Sequence, residues 1–466
     1  MTKGKVILIV LGLMAFMGWW IWPKYQSHAQ GDAQSNPVLY YTSQLIYGSP
    51  EQNAEALNWL EQRGKPDVTG ALLTALRFSQ LPNGEIIETL EKLTGAKAGG
   101  TWFDWQLWLE ANPLPQHESL IHFKRRIYTS IDPRFEIFID PELTYDIRLE
   151  EITWGGVRLD GIPALDNPTQ LQPTAATYTK DTDLVFGVKI NGDARAYPLR
   201  ILNWHEMFND VIGGVRVSLA YCTLCGSGIL FEGQTKGLDK LEIKGPLTFG
   251  SSGFLYRSNK LMYDRATYSL WNQFTGEPVS GKLQGSGIKL TIRPVVITSW
   301  KQWLAANPDT TIIDIQTGFQ RDYGSGVAYR DYFSSPNLMF PAVGDRLGRL
   351  KKKDYVFGMR LPGGARAWPL DAFRQRPVIN DAVGFHHVVV LGNADTRTAR
   401  AYVRQKSETF EQDGKGRVVS GGKVWTMTEE ALVSEDGERR ERLPGHVAFW
   451  FAWAGYLGDQ TSLSGG

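Results

Sequence analysis

The chain has 466 residues, 42% of them hydrophobic and 21% charged, with a formal net charge of +1. That length exceeds one ordinary core and implies two or three domains. The composition excludes a disordered or fibrous chain, and the near-neutral balance excludes the basic face that nucleic-acid binding needs.

Lys3 and Lys5 precede an apolar run from Val6 to Trp22, closed by Pro23. A positive start followed by an apolar stretch is an export signal. Residues 1–29 are therefore predicted to be a signal peptide or a membrane anchor. Ser27-His28-Ala29 before Gln30 suits cleavage. Trp19, Trp20 and Trp22 suit interfacial anchoring by a single transmembrane helix, with the membrane as partner if the segment stays uncleaved. Either way the rest of the chain is expected to be extracytoplasmic: periplasmic, at the cell surface or secreted.

Residues 36–130 carry helical spacing. Ala54, Leu57 and Leu60 recur on one face, as do Leu72, Leu73 and Leu76, then Ile86, Leu90 and Leu93. Breakers at Gly64-Lys-Pro66, Leu81-Pro-Asn-Gly84 and Gly95 to Gly100 cut this α-helical segment into short helices, as in a small bundle or solenoid-like hairpins. Beyond it the chain is β-rich, and the predicted class is α+β.

The β-rich part repeats itself. Asp183-Leu-Val-Phe-Gly-Val-Lys-Ile-Asn-Gly-Asp-Ala-Arg-Ala-Tyr-Pro-Leu199 aligns with Asp354-Tyr-Val-Phe-Gly-Met-Arg-Leu-Pro-Gly-Gly-Ala-Arg-Ala-Trp-Pro-Leu370, an offset of 171. Asn209-Asp210 and Asn380-Asp381 keep the same offset. A duplicated domain is expected, with a first copy at 150–285 and a second, degenerate copy at 286–460. Each copy reads as a strand, a turn (Asn191-Gly192 in the first), a second strand and a helix, Leu199 to Val211 in the first. A long strand from Val215 then carries the two cysteines. Trp105-Gln-Leu-Trp108 and Trp300-Lys-Gln-Trp303 are a smaller echo, read as core-packing helices.

Several of these segments together resemble the DUF 3179 family: Phe186-Gly187 with Ala196-Tyr197-Pro198, Tyr221-Cys222-Thr-Leu-Cys225, Leu247 to Gly253, Met262-Tyr-Asp-Arg265, Ser269-Leu-Trp271 and Phe449-Trp-Phe-Ala-Trp453. The resemblance runs from about Asp160 to Gly458. It implies an extracytoplasmic setting and carries over no activity.

Cys222 and Cys225 are the only cysteines. Gly226 stands where covalent haem attachment requires His, so haem is not expected. Nor is a nucleotide, since the glycine-rich stretches lack the Lys of a phosphate loop. No nucleophile elbow or zinc-protease helix is present. Cys-x-x-Cys-Gly has the form of a metal knuckle, whose two thiolates can face one ion. His205, on the preceding predicted helix in line with Ile201, Phe208 and Ile212, is the expected third ligand, with Met262 as a weaker candidate. Sulfur plus imidazole suits copper, with zinc as the alternative. At the offset of 171, Asn393, Thr396 and Arg376 replace Cys222, Cys225 and His205.

Three readings stay open: a metal site of Cys222, Cys225 and His205, a thiol-redox pair, or a non-catalytic envelope scaffold or binding module, with a partner or glycan held by its many aromatics, whose cysteines form a structural disulfide. Glu206 is read as capping or facing solvent, and Asp264-Arg265 as a loop ion pair. His386 and His387, adjacent on a strand, point to opposite faces.

Overall fold

The computed structural model describes residues 35–340 and 350–464. The predicted signal or anchor, residues 1–29, lies outside the described residues. The chain divides into two compact units, Met1–Ile152 and Thr153–Gly466, and its class is mixed α+β.

The first unit is a helical bundle: α1 (Pro37–Tyr47), α2 (Pro50–Arg63), α3 (Thr69–Phe78), α4 (Asn83–Thr94), α5 (Trp102–Ala111) and α6 (Ser119–Ile131). The sequence breakers act as caps. Ser49 and Gln52 form a capping box, and Gly64 ends α2 in the left-handed region with φ 66°. Helix α3 buries eight of its ten residues, Thr69 to Leu76, which makes it the helix that the others surround. Trp105 is fully buried, as core packing predicts.

In the second unit, after short strands at Leu165–Asp166 and Gln170–Leu171, come β1 (Leu184–Ile190) and β2 (Asp193–Pro198). Asn191 and Gly192 join them with φ 50° and 85°, the backbone of a tight twisted hairpin. Next come α7 (Leu199–His205), β3 (Met207–Ile212), β4 (Val215–Cys222) and β5 (Ser227–Glu232), the three strands pairing as an antiparallel meander. Strands β6 (Phe249–Tyr256) and β7 (Asn259–Asp264) form a further hairpin. Strand β8 (Val296–Ser299) pairs with β1, helix α8 (Trp300–Ala306) follows, and β9 (Thr311–Ile313) runs parallel to β2. Residues 296–313 thus complete the sheet of β1 and β2.

After the short helix α9 (Arg330–Ser334), residues 355–463 follow the same order. Strands β10 (Tyr355–Leu361) and β11 (Gly364–Pro369) pair, then β12 (Val378–Val383), β13 (His386–Asn393) and β14 (Thr398–Val403) form a meander. Strand β15 (His446–Phe449) pairs with β10, helix α10 (Trp450–Leu457) follows, and β16 (Thr461–Leu463) runs parallel to β11.

The matching contacts are specific. Trp303 lies against Gly187 of β1, where a Cβ would sit 2.2 Å from the indole, and Trp453 lies the same way against Gly358 of β10. Their ring nitrogens donate to Thr310 and Thr461, each at 2.8 Å. The Asn209 side chain bridges both backbone groups of Phe249, and Asn380 bridges those of Phe410. Arg195 pairs with Asp210, and Arg366 with Asp381. Both strand sets feed one apolar core, including Phe186, Tyr197, Leu219, Phe357, Trp368 and Val390.

Helix α7 is shorter than the predicted Leu199–Val211. Glu206 adopts φ 54°, a left-handed conformation that ends the helix. Residues 207–212 then hydrogen-bond to 215–220 as a strand. A short apolar run does not separate a buried strand from a helix by its periodicity; here the Asn209 bridge and ladder with β4 decide it.

Candidate dithiol site

Cys222 is the last residue of β4, and its register partner Ser227 is the first of β5. Between them the chain makes a tight turn in which Cys225 N–H donates to Cys222 O at 3.1 Å and Gly226 N–H to Thr223 O at 3.3 Å. Gly226 has φ 61°, and a Cβ there would press on the Tyr355 ring at 3.0 Å. An i to i+3 turn holds its end Cα atoms within about 7 Å. That overlaps the span of roughly 4.4–6.8 Å that a disulfide bridges. Both cysteines are free thiols and buried, Cys222 2% exposed and Cys225 0%.

Cys225 Sγ donates to Ser258 O at 3.0 Å. A carbonyl only accepts, so this bond fixes the proton on Cys225. Burial pushes the Cys225 thiol well above its ordinary pKa; contact with Cys222 and the Glu206 charge act in the same direction, and the Lys260 backbone opposes them. Ser258 reaches this position through the β6–β7 turn, where Arg257 and Ser258 both hold positive φ, 47° and 64°. Non-glycine residues enter that region at a cost of roughly 1–2 kcal/mol each. Such strain concentrates at functional sites.

Two residues beyond Ser258, the Lys260 ammonium donates to Glu206 Oε2 at 3.1 Å, and both side chains are buried. Glu206 is also tied to the cysteine strand, because Tyr221 N–H donates to its carbonyl at 2.8 Å. Of the sequence reading of Glu206 as capping or facing solvent, the cap holds, since Glu206 ends α7; the solvent-facing part is corrected, because its side chain belongs to a buried ion pair beside the thiols. On another side, the Tyr332 hydroxyl of α9 donates to Leu224 O within the turn at 2.6 Å. Lys353 lies 3.4 Å from the centre of the Tyr332 ring and donates to Ser335 O at 2.8 Å. Burial first, and the two sulfurs next, raise the Tyr332 phenol above its usual pKa.

The structure brings Cys222 and Cys225 together but gives His205 other partners. Its Nδ1 meets Pro163 O at 2.9 Å and its Nε2 meets the Tyr323 hydroxyl at 2.6 Å. The ring is buried, and burial lowers its basicity below that of ordinary imidazole. Phe208 and Ile212, expected on its helix face, are on β3 instead. Met262 shares the apolar cluster of the two cysteines. Among the described residues, no group of three or more His, Cys, Asp or Glu is placed to hold a metal.

Asp264 and Arg265 do not pair with each other. Asp264 accepts from Thr267 and the Trp271 indole, and Arg265 bonds Asp166. The sequence reading missed Ser258, Lys260 and Tyr332. Lys260 carried one usable signal, a cation next to the apolar Leu261-Met262-Tyr263 run of a strand that is buried along its whole length. Among the described residues, no helix is long and apolar enough to cross a membrane.

Comparison with curated proteins and with solved structures gives no match. Residues 159–460 match the family described as protein of unknown function (DUF3179). That span takes in both strand sets and the cysteine turn, so the chain belongs to the DUF3179 family.

Proposed function

We propose that this chain is an extracytoplasmic thiol-redox protein in which Cys222 and Cys225 interconvert between dithiol and disulfide. The observation that carries the reading is the turn itself: two free, buried thiols at i and i+3, one with its proton fixed by Ser258 O. A buried neutral dithiol and a buried disulfide have the same charge, so the interconversion adds no net charge to the apolar cluster. The oxidant is a disulfide. One protein thiolate attacks it and releases a thiolate, and the second protein thiol displaces the other half. Both protein protons end on the released thiolates, so two protein thiols and one disulfide give one protein disulfide and two small thiols. Export through residues 1–29 fits this chemistry, because disulfide partners are abundant outside the cytoplasm.

We read the strand sets as copies of one ancestral domain, the earlier copy bearing the working site and the later one a degenerate turn. The shared Trp–Gly, Asn and Arg–Asp contacts support that reading.

The test is equilibration of the purified exported part in glutathione buffers of graded potential, followed by acid quench, thiol alkylation and mass measurement. A reversible change of two hydrogens confined to Cys222 and Cys225 is expected, and Cys222→Ser abolishes it. A pair that stays reduced across the series while copper or zinc co-purifies stoichiometrically overturns the proposal in favour of a metal site. A disulfide that no buffer reduces overturns it in favour of a stapled scaffold.

A further inference from the structure

We propose that the two sulfurs have unequal roles, Cys222 attacking the incoming disulfide and Cys225 resolving the mixed disulfide. This rests on the redox reading above. The asymmetry comes from what surrounds each sulfur. Cys225 is fully buried, and its S–H is committed to the Ser258 carbonyl at 3.0 Å. Removing that proton would leave a thiolate facing a carbonyl oxygen, with the Glu206 carboxylate also nearby on the β3 side. These two groups oppose a negative Cys225 together with its burial, and the Lys260 backbone amide offsets them in part. The Ser258 carbonyl is held there by a two-residue hairpin turn that the β6–β7 ladder closes at Tyr256 and Asn259.

Among the described residues, no backbone carbonyl bonds the Cys222 sulfur, whose hydrogen-bonding neighbour is Cys225. The Cys222 backbone is locked by the β4–β5 ladder at Ser227, which leaves the side chain as the part that can respond. Once Cys222 has lost its proton, the Cys225 S–H is the adjacent donor and can turn from Ser258 O to the Cys222 thiolate. Hydrogen bonding to the charged form favours it. The same proton then leaves with the second small thiolate when Cys225 displaces the mixed disulfide, which keeps the balance of two protons and one disulfide per turnover. The i to i+3 turn keeps Cys225 within reach of the Cys222 sulfur throughout.

The assignment is tested by trapping with glutathione disulfide on Cys225→Ser and Cys222→Ser, with mass measurement of the adduct against time. Cys225→Ser is expected to accumulate a stable adduct on Cys222. Cys222→Ser is expected to form its adduct at least tenfold more slowly. Equal rates, or a faster Cys222→Ser, overturn the assignment while leaving the redox reading intact if the unmodified protein still forms its disulfide. Absence of both adducts and of the disulfide overturns the redox reading itself. Because a buried serine can perturb folding, Cys222→Ala and Cys225→Ala are run in parallel, with near-ultraviolet circular dichroism confirming the native state. The same rate order in the alanine pair is required.

Discussion

The turn from Cys222 to Gly226 has a counterpart from Asn393 to Arg397, 171 residues later. Gly226 N–H donates to Thr223 O, and Arg397 N–H to Ala394 O, both at 3.3 Å. Gly226 has φ 61° and Arg397 has φ 53°. In the later turn the Asn393 side chain caps the backbone amides of Asp395 and Thr396, and Arg397 stacks on Tyr355. The backbone shape therefore needs no cysteine. What differs is the environment: the earlier turn is buried under Tyr332 and faces Ser258 O, whereas Asn393 is exposed. The same turn thus forms with and without thiols at its first and fourth positions.

That comparison can be broken at several levels of effect. The largest concerns the frame common to both sets. Trp303→Ala and Trp453→Ala each remove a fully buried indole wedged on a strand glycine. Each is expected to lose about 3–5 kcal/mol in denaturant unfolding, and a small loss at either would show that the wedges are not equivalent. Next is acid. Burial, with Arg360 adding to it, lowers the His446 pKa to about 3. The unfolded chain takes up this proton near pH 6.5 and the folded protein does not, so stability falls as pH drops from about 6.5 toward 3. The loss is on the order of 3 kcal/mol by pH 4. His446→Phe is expected to flatten the curve of melting temperature against pH; an unchanged slope would refute this.

A smaller effect separates the two bridging asparagines. Asn209 is buried and also accepts from Ser218, while Asn380 is half-buried. Asn209→Ala is expected to cost about 2–3 kcal/mol and Asn380→Ala about 1 kcal/mol by thermal unfolding, and the reverse order would count against burial as the deciding factor. The smallest stability effect belongs to the thiols: Cys222→Ala should cost about 1 kcal/mol or less. Conversely, the double variant Asn393→Cys with Thr396→Cys should form a disulfide under mild oxidation. Failure to close, read by mass, would mean that the two turns differ in backbone after all.

Much of this frame was legible in the chain. Asn191-Gly192 marks the first hairpin, and the breakers at Gly64 and Gly95 fall at helix ends because those positions hold positive φ. The tryptophan wedges were half legible. Trp300 and Trp303 match Trp450 and Trp453 at a spacing of 150, because the stretch between the meander and the closing strand differs in length between the sets, so the offset of 171 does not reach them. The cysteine pair was visible, but its setting was not. Ser258 acts through a main-chain carbonyl, which no side-chain motif encodes, and Tyr332 arrives from 108 positions beyond its partner Leu224. His205 was legible as inward-facing. Its partners, Pro163 O and the Tyr323 hydroxyl, depend on tertiary placement alone.

The backbone on the far side of the sulfurs joins the two strand sets. Phe449 N–H donates to the carbonyl of Cys225 at 2.8 Å, so β15 is spliced onto the cysteine turn by its last residue. Trp450 follows immediately, its backbone N–H bonded to Asp354 O, and Trp453 sits one helical turn on. The Cys225 carbonyl is therefore shared: the residue that carries the resolving sulfur also anchors the strand that leads into the helix of Trp450 and Trp453.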